Sequence, residues 1–141
     1  MPASGKAPPS LVDTSAAVAL VMADHDHHET TFAALAHRRL GLAGHAAFEM
    51  FSVLTRLPPP LRRSAPTVAR LLAAEFPETR FLGAAASRAL LGQLAGNIMG
   101  GAVYDGLVGA CANEHGLTLV TRDRRALETY RALDVRVELL P

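Results

Sequence analysis

The sequence predicts an α/β fold, one domain built on a central parallel β-sheet with helices on both faces. Short β-prone runs alternate with helical stretches along almost the whole chain, the pattern of strand–helix–strand crossovers. The first apolar run, Leu11-Val12, ends in Asp13-Thr14-Ser15 and passes into the alanine-rich stretch Ala16–Met22, a strand, a polar turn and a helix start. With 141 residues, 50% of them hydrophobic and 19% charged, the chain suits one globular domain with a real core. Residues 1–9, rich in Pro, Ala and Ser, read as a flexible leader and residues 10–141 as the domain.

The elements follow in order. After the helix Ala16–Met22 comes the polar run Asp24–His28, then a second helix over Glu29–Arg39 with Phe32, Leu35 and Ala36 on one side. Leu40–Ala43 reads as a short strand punctuated by Gly41 and Gly44. A third helix, His45–Leu57, stops at Pro58-Pro59-Pro60, because proline lacks the amide hydrogen a helix needs. Ala65–Glu75 is a fourth helix with Pro66 in its first turn, where a missing N–H does no harm. Thr79–Leu82 is a candidate strand, Ala84–Leu94 a helix and Ala95–Gly101 a glycine-rich loop. A helix carrying Asp105, the strand Leu117–Thr121, a short helix Arg124–Arg131 and a last strand Val135–Leu139 complete the chain.

Composition narrows the function. A net charge of +1 supplies no global basic field for nucleic acid. The positive charge is nearly all arginine, with Lys6 the sole lysine; arginine favours bidentate phosphate contact, and a biased genome would also produce it. The single Cys111 excludes an internal disulfide, suits a reducing compartment, and reads as a small apolar helix residue. No signal peptide is visible and no apolar stretch is long enough to span a bilayer, so a cytoplasmic location is expected.

The acids carry the chemistry. In a helix opening after Gly100-Gly101, the neighbours of Asp105 at three, four and seven residues are Gly101, Ala102, Val108, Gly109 and Ala112. All are small or apolar, so this face reads as buried, and an unpaired carboxylate there needs a cation. Gly106 and Gly109 add to the oddity, since each costs about 1 kcal/mol against alanine inside a helix; a missing Cβ admits another group. Asp13 and Asp123 each follow a strand and suit an N-cap as well as a site. Glu49 lies early in the third helix beside His45, Ser52 and Arg56, as on a solvated face. Taken together, the four acids are expected to converge on the edge of a parallel sheet where strand C-termini meet helix starts. Clustered carboxylates repel one another unless a hard divalent cation neutralises them, which points to Mg²⁺ or Mn²⁺.

Two other features carry less. Asp24-His25-Asp26-His27-His28 contains metal-ligand residue types but has no spaced partner motif, and caps and exposed histidines explain it. Gly96, Gly100 and Gly101 do not follow a strand in a P-loop or dinucleotide pattern.

With these acids in place, the chain resembles the PIN-domain ribonucleases, and within them the VapC-type toxins of bacterial toxin–antitoxin pairs. The resemblance runs from about Leu11 to Glu138. It rests on Val12-Asp13-Thr14-Ser15, on Phe48-Glu49, on the Gly-Gly-x-x-Tyr-Asp-x-Leu stretch Gly100–Leu107, and on Leu119-Val120-Thr121-Arg122-Asp123-Arg124. It implies that Asp13, Glu49, Asp105 and Asp123 hold Mg²⁺ or Mn²⁺, and that Ser15 and Thr121 line the site and orient those acids. It implies an endoribonuclease that cuts a phosphodiester to leave a 5′-phosphate and a 3′-hydroxyl. Such a metal activates water and stabilises charge on the phosphate, while a neighbouring carboxylate can act as general base. Arg122, Arg124 and Arg125 are candidate RNA contacts, or a solvated helix start. The chain departs from the family in its longer leader, in Gly106 and Gly109 where alanine is common, and in Ala102 where close relatives often carry a basic residue.

The resemblance also implies a cognate antitoxin and a homodimer. The apolar surplus in Ala16–Met22 and Thr31–Leu35 could supply those faces, or simply the core. The alternative from another class is a PIN-like binding or scaffold module without significant nuclease activity; loss of an acid would favour it, and all four are present. A phosphotransferase of the haloacid-dehalogenase type is disfavoured, because Ser15 stands where its second Asp belongs and no lysine follows Lys6.

Overall fold

The computed structural model describes residues 7–141. Most of the expected leader therefore lies outside the described residues, and Ala7–Pro9 run directly into the first strand. The elements are β1 (Ser10–Val12), α1 (Thr14–Val21), α2 (His28–Leu35), β2 (Leu40–Leu42), α3 (His45–Thr55), α4 (Ala65–Glu75), α5 (Ala84–Leu94), α6 (Ala102–His115), β3 (Leu119–Thr121), a 3₁₀ turn (Arg124–Ala126), α7 (Leu127–Ala132) and β4 (Val137–Leu139).

The four strands form one wholly parallel sheet in the order β2-β1-β3-β4. Adjacent residues on a strand face opposite sides of a sheet, and Leu11, Val12, Leu119, Val120 and Thr121 are all fully buried. Both faces are therefore covered, as a parallel sheet requires. The chain leaves β1 towards β2 on one side and returns to β3 on the other. The crevice at the carboxyl ends of β1 and β3 is thus the point where the winding reverses, the usual place for a ligand in an open α/β sheet. Tyr130 and Phe76 are the largest fully buried side chains of a core that joins the sheet to α1, α3, α4, α6 and α7.

Local signals set several boundaries. Ser64 accepts from Thr67 N–H at 3.3 Å and Pro66 sits in the first turn, so α4 begins where a cap and a proline place it. The Thr79–Leu82 expectation is corrected: Arg80 makes one parallel bridge to Ala43 and no strand forms. Instead the Glu78–Thr79 backbone presses against β2, and Thr79 Oγ1 accepts from Leu42 N–H at 3.0 Å. Gly41 is not punctuation. It is the middle residue of β2, and a Cβ there would fall on the Glu78 carbonyl. The second helix ends at Leu35 rather than Arg39, with Ala36 its last helical cap. Among the described residues, no helix is long and apolar enough to cross a membrane.

The apolar residues of the first two helices divide between core and surface. Ala16, Ala17, Ala19, Leu20 and Leu35 are buried, whereas Phe32 of α2 is exposed, as are Phe48, Leu61, Phe81, Leu91, Met99 and Tyr104. Core packing accounts for α1.

Candidate active site

Asp13, Glu49, Asp105 and Asp123 line one cavity of about 90 Å³ with Thr14, Ser15, Val108 and Tyr130. Asp13 is delivered by the end of β1, Glu49 by the fifth residue of α3, Asp105 by the first turns of α6, and Asp123 by the turn after β3. The volume holds an ion and a few waters, each water occupying about 30 Å³.

Asp13 is the best-anchored acid. Its Oδ1 accepts from Ser15 Oγ at 2.6 Å and from Ala16 N–H at 3.2 Å, the second contact making it the N-cap of α1. Its Oδ2 accepts from the Tyr130 hydroxyl at 2.9 Å. Capping and site roles are thus compatible, since one carboxylate offers about four acceptor positions. Asp123 repeats the arrangement: its Oδ1 accepts from Arg125 N–H at 2.9 Å, and its own N–H donates to Thr121 Oγ1 at 3.0 Å. Ser15 Oγ also accepts from Arg122 N–H at 2.9 Å and lies 3.3 Å from Thr121 Oγ1. Ser15 and Thr121 therefore tie the turn after β1 to the turn after β3.

Asp105 is half-buried, and its carboxyl pKa is pushed up to about 6. Burial is the largest cause, followed by the charges of Asp123, Asp13 and Glu49, with Arg125 opposing. The cluster is electrostatically unfinished. Glu49 stays at the rim with its side chain 39% exposed, 3.7 Å from His45 Nε2.

Residues 10–132 match the PIN domain family. The chain belongs to that family. It is 45% identical over 131 residues to Ribonuclease VapC27 and to Ribonuclease VapC40 of Mycobacterium tuberculosis, covering 92% and 91% of this chain and 96% of each relative. Two solved structures share its fold: DNA-bound VapBC2 from Rickettsia felis, at 14% identity and TM-score 0.68 over 95% of this chain and 100% of that one, and DNA-bound VapBC from Salmonella typhimurium, at 19% identity and TM-score 0.66 over 94% and 98%.

The donor set of this PIN domain is carboxylate and hydroxyl oxygen, which fits a hard divalent cation and not a soft one. Among the described residues, no three His, Cys, Asp or Glu side chains close into a ready-made ion cage; the acids surround the cavity without converging on a point. That suits Mg²⁺, which keeps several waters and takes only one or two carboxylates directly. Among the described residues, the Thr14 hydroxyl is buried with no hydrogen-bond partner, and it lines the same cavity. A buried orphan hydroxyl beside four carboxylates marks a place for solvent or a ligand.

The sequence reading missed Tyr130 and Thr14. Tyr130 is 1% exposed, and burial with the Asp13 charge drives its hydroxyl pKa strongly upward, so it stays a proton donor. Gly109 makes room for it: a Cβ there would stand 3.1 Å from Tyr130 Cδ1 and 3.0 Å from Val135 Cγ2. The missing Cβ thus admits the ring that holds Asp13. At Gly106 an added Cβ would meet only ordinary contacts, Leu94 Cδ2 at 3.6 Å the nearest. A signal existed for Tyr130, a buried aromatic whose hydroxyl must find a partner, but nothing local named Asp13.

The arginines divide. Arg122 and Arg125 line a groove beside the acid cavity, whereas Arg124 is exposed outside both. Cys111 is buried, its Sγ donates to Arg80 O at 3.3 Å, and burial raises its pKa to about 11; it is a packed thiol. A larger cavity of about 710 Å³, lined by Ala7, Pro8, Ser10 and His37–Arg39, lies at the opposite edge of the sheet and carries no acid.

Proposed function

We propose that this PIN domain is a metal-dependent endoribonuclease, the toxin of a toxin–antitoxin pair, with Asp13, Glu49, Asp105 and Asp123 as its catalytic acids and its ligands for Mg²⁺ or Mn²⁺. The single observation that carries the reading is the gathering of four carboxylates, one with its pKa raised to about 6, around one small cavity. The naming of the curated relatives as ribonucleases supports the activity, and the VapBC neighbours support an antitoxin partner.

When bound, the cation lowers the pKa of water and neutralises charge on the phosphate during in-line attack. The chain's own residues do the rest. Ser15, the α1 amide and Tyr130 fix Asp13, so its carboxylate needs little reorganisation. Glu49, part-exposed at the rim, is the carboxylate we assign to take a proton from the attacking water. Thr14 lines the same cavity, with its buried hydroxyl unpartnered among the described residues. Arg122 and Arg125 attract the RNA backbone. A protein partner has an apolar surface available: Phe48 and Phe81 are exposed with rings 6.1 Å apart, and Tyr104 stacks on His45 at 5.0 Å. We assign this surface to the antitoxin or to a second copy of the chain, in a protein that works in the cytoplasm.

The test is incubation of antitoxin-free protein with total bacterial RNA, with and without Mg²⁺ or Mn²⁺, beside Asp13→Ala and Asp105→Ala. Discrete metal-dependent cuts that fall by at least about 100-fold in both variants are expected. Cleavage that survives both substitutions removes the assignment.

A further inference from the structure

The acid cavity, at about 90 Å³, has no room for a nucleotide, so any strand cut there must lie outside it. A groove of about 420 Å³, lined by Thr14, Ser15, Val18, His25, His27, Arg122, Asp123 and Arg125, shares Thr14, Ser15 and Asp123 with that cavity. Its size falls within the range of about 300–1,000 Å³ that ligand clefts occupy. We propose that this groove holds the RNA nucleotide flanking the scissile bond, and that His25 and His27 form the wall that grips its phosphate. The inference rests on the ribonuclease reading and names the subsite that reading leaves open.

The groove is built from donors. The Arg122 guanidinium is tethered, its Nη1 donating to Oγ1 of the fully buried Thr31 at 3.2 Å. Holding a guanidinium in place before the ligand arrives reduces the ordering cost of binding. Arg125 differs, 94% exposed at its side chain and held only by an ion pair with Asp123, Nε to Oδ1 at 3.5 Å. Across from them stands the turn between α1 and α2. There His27 N–H donates to His25 Nδ1 at 3.0 Å. A backbone amide can only donate, so Nδ1 accepts and the ring proton sits on Nε2. The turn therefore fixes a tautomer whose outer nitrogen is a hydrogen-bond donor. His27 lies beside it with ring centroids 5.8 Å apart. The turn itself is anchored, since His28 Nδ1 meets Ala19 O at 2.9 Å. Thr14 lies at the junction of groove and cavity, lining both.

This gives a role to the histidine run that the metal site does not use. The run's own acids, Asp24 and Asp26, are absent from the groove lining, and Asp123 is the one carboxylate there, at the edge shared with the acid cavity.

The experiment measures binding of a fluorescein-labelled, mixed-sequence RNA 12-mer to antitoxin-free full-length protein by anisotropy, with Ca²⁺ replacing Mg²⁺ to suppress cleavage. The variants are His25→Gln with His27→Gln, Thr31→Val to release Arg122, and Arg70→Gln on the exposed face of α4 as a charge control. Each is also titrated with Mn²⁺. The double histidine variant is expected to raise Kd about tenfold, as loss of hydrogen bonds to a charged phosphate does, with Mn²⁺ affinity unchanged. Thr31→Val is expected to raise Kd about threefold, and Arg70→Gln not at all. A histidine variant that binds as tightly as the parent, while the parent cuts RNA, overturns the subsite and leaves the nuclease standing. A parent protein that neither binds the 12-mer nor cuts RNA overturns both.

Discussion

Replacing Asp105 with Asn should make the metal-free protein more stable. The carboxyl pKa is raised from 3.8 to about 6, and each unit corresponds to about 1.4 kcal/mol of preference for the neutral form. The full shift is then about 3 kcal/mol; because the group is half-buried, solvent screening leaves about 1–2 kcal/mol for stability to read. The sign follows from the direction of the shift. Below pH 3.8 Asp105 is protonated in both folded and unfolded chains and carries no penalty. Between pH 3.8 and about 6 the unfolded chain ionises first, and above about 6 the folded chain bears the whole penalty. Asp105→Asn is therefore expected to raise Tm by about 3–8 °C at pH 7.5 in EDTA, with the gain fading as pH falls towards 4. Added Mn²⁺ should reverse the order, because the ion stabilises the parent by mass action, about 2.7 kcal/mol at one hundred times its Kd. Thermal melts across pH, with and without Mn²⁺, measure all of this. A metal-free variant no more stable than the parent at pH 7.5 would refute the repulsion argument.

Three further outcomes are expected. Tyr130→Phe removes the 2.9 Å hydrogen bond to Asp13 Oδ2, so Mn²⁺ affinity measured by calorimetry should fall by about 10-fold or more, with about 1–2 kcal/mol of stability lost. Gly109→Ala gains about 1 kcal/mol of helix propensity but pushes a Cβ against Tyr130 and Val135; overpacking of about 1–3 kcal/mol should win, giving a lower denaturation midpoint and weaker Mn²⁺ binding. Gly41→Ala sets a Cβ onto the Glu78 backbone carbonyl and should cost more than about 3 kcal/mol, read as loss of soluble folded protein, because neither backbone can yield.

What was legible in the sequence was local. Strand–helix alternation gave the parallel sheet, and a serine cap and a proline set the start of α4. Asp105 declared itself because an acid among glycines and alanines on a helix has few structural excuses. Asp13 and Asp123 were ambiguous for a sound reason: both do cap the elements that follow them while facing the cavity. The rest depended on contacts distant in sequence. Tyr130 meets Asp13 across 117 residues, and Gly41 is required by a backbone 37 residues away. The Thr79–Leu82 run has strand-like residues, but the Leu42 N–H of β2 is taken by the Thr79 side chain, and the one parallel bridge, Arg80 to Ala43, falls just past the strand. The histidine run has no spaced partner motif in the sequence, and its place beside Arg122 and Arg125 emerges only when the fold brings the two turns together.

The central claim is that the four carboxylates gather to hold a divalent cation, and a crystal soaked in Mn²⁺ tests it most directly. The anomalous difference map should show a peak inside the cavity bounded by Asp13, Glu49, Asp105 and Asp123, and that peak should vanish in Asp13→Ala crystals soaked in the same way. A well-ordered soaked crystal with no peak in that cavity, or with its manganese at the His25–His28 turn instead, would contradict the account.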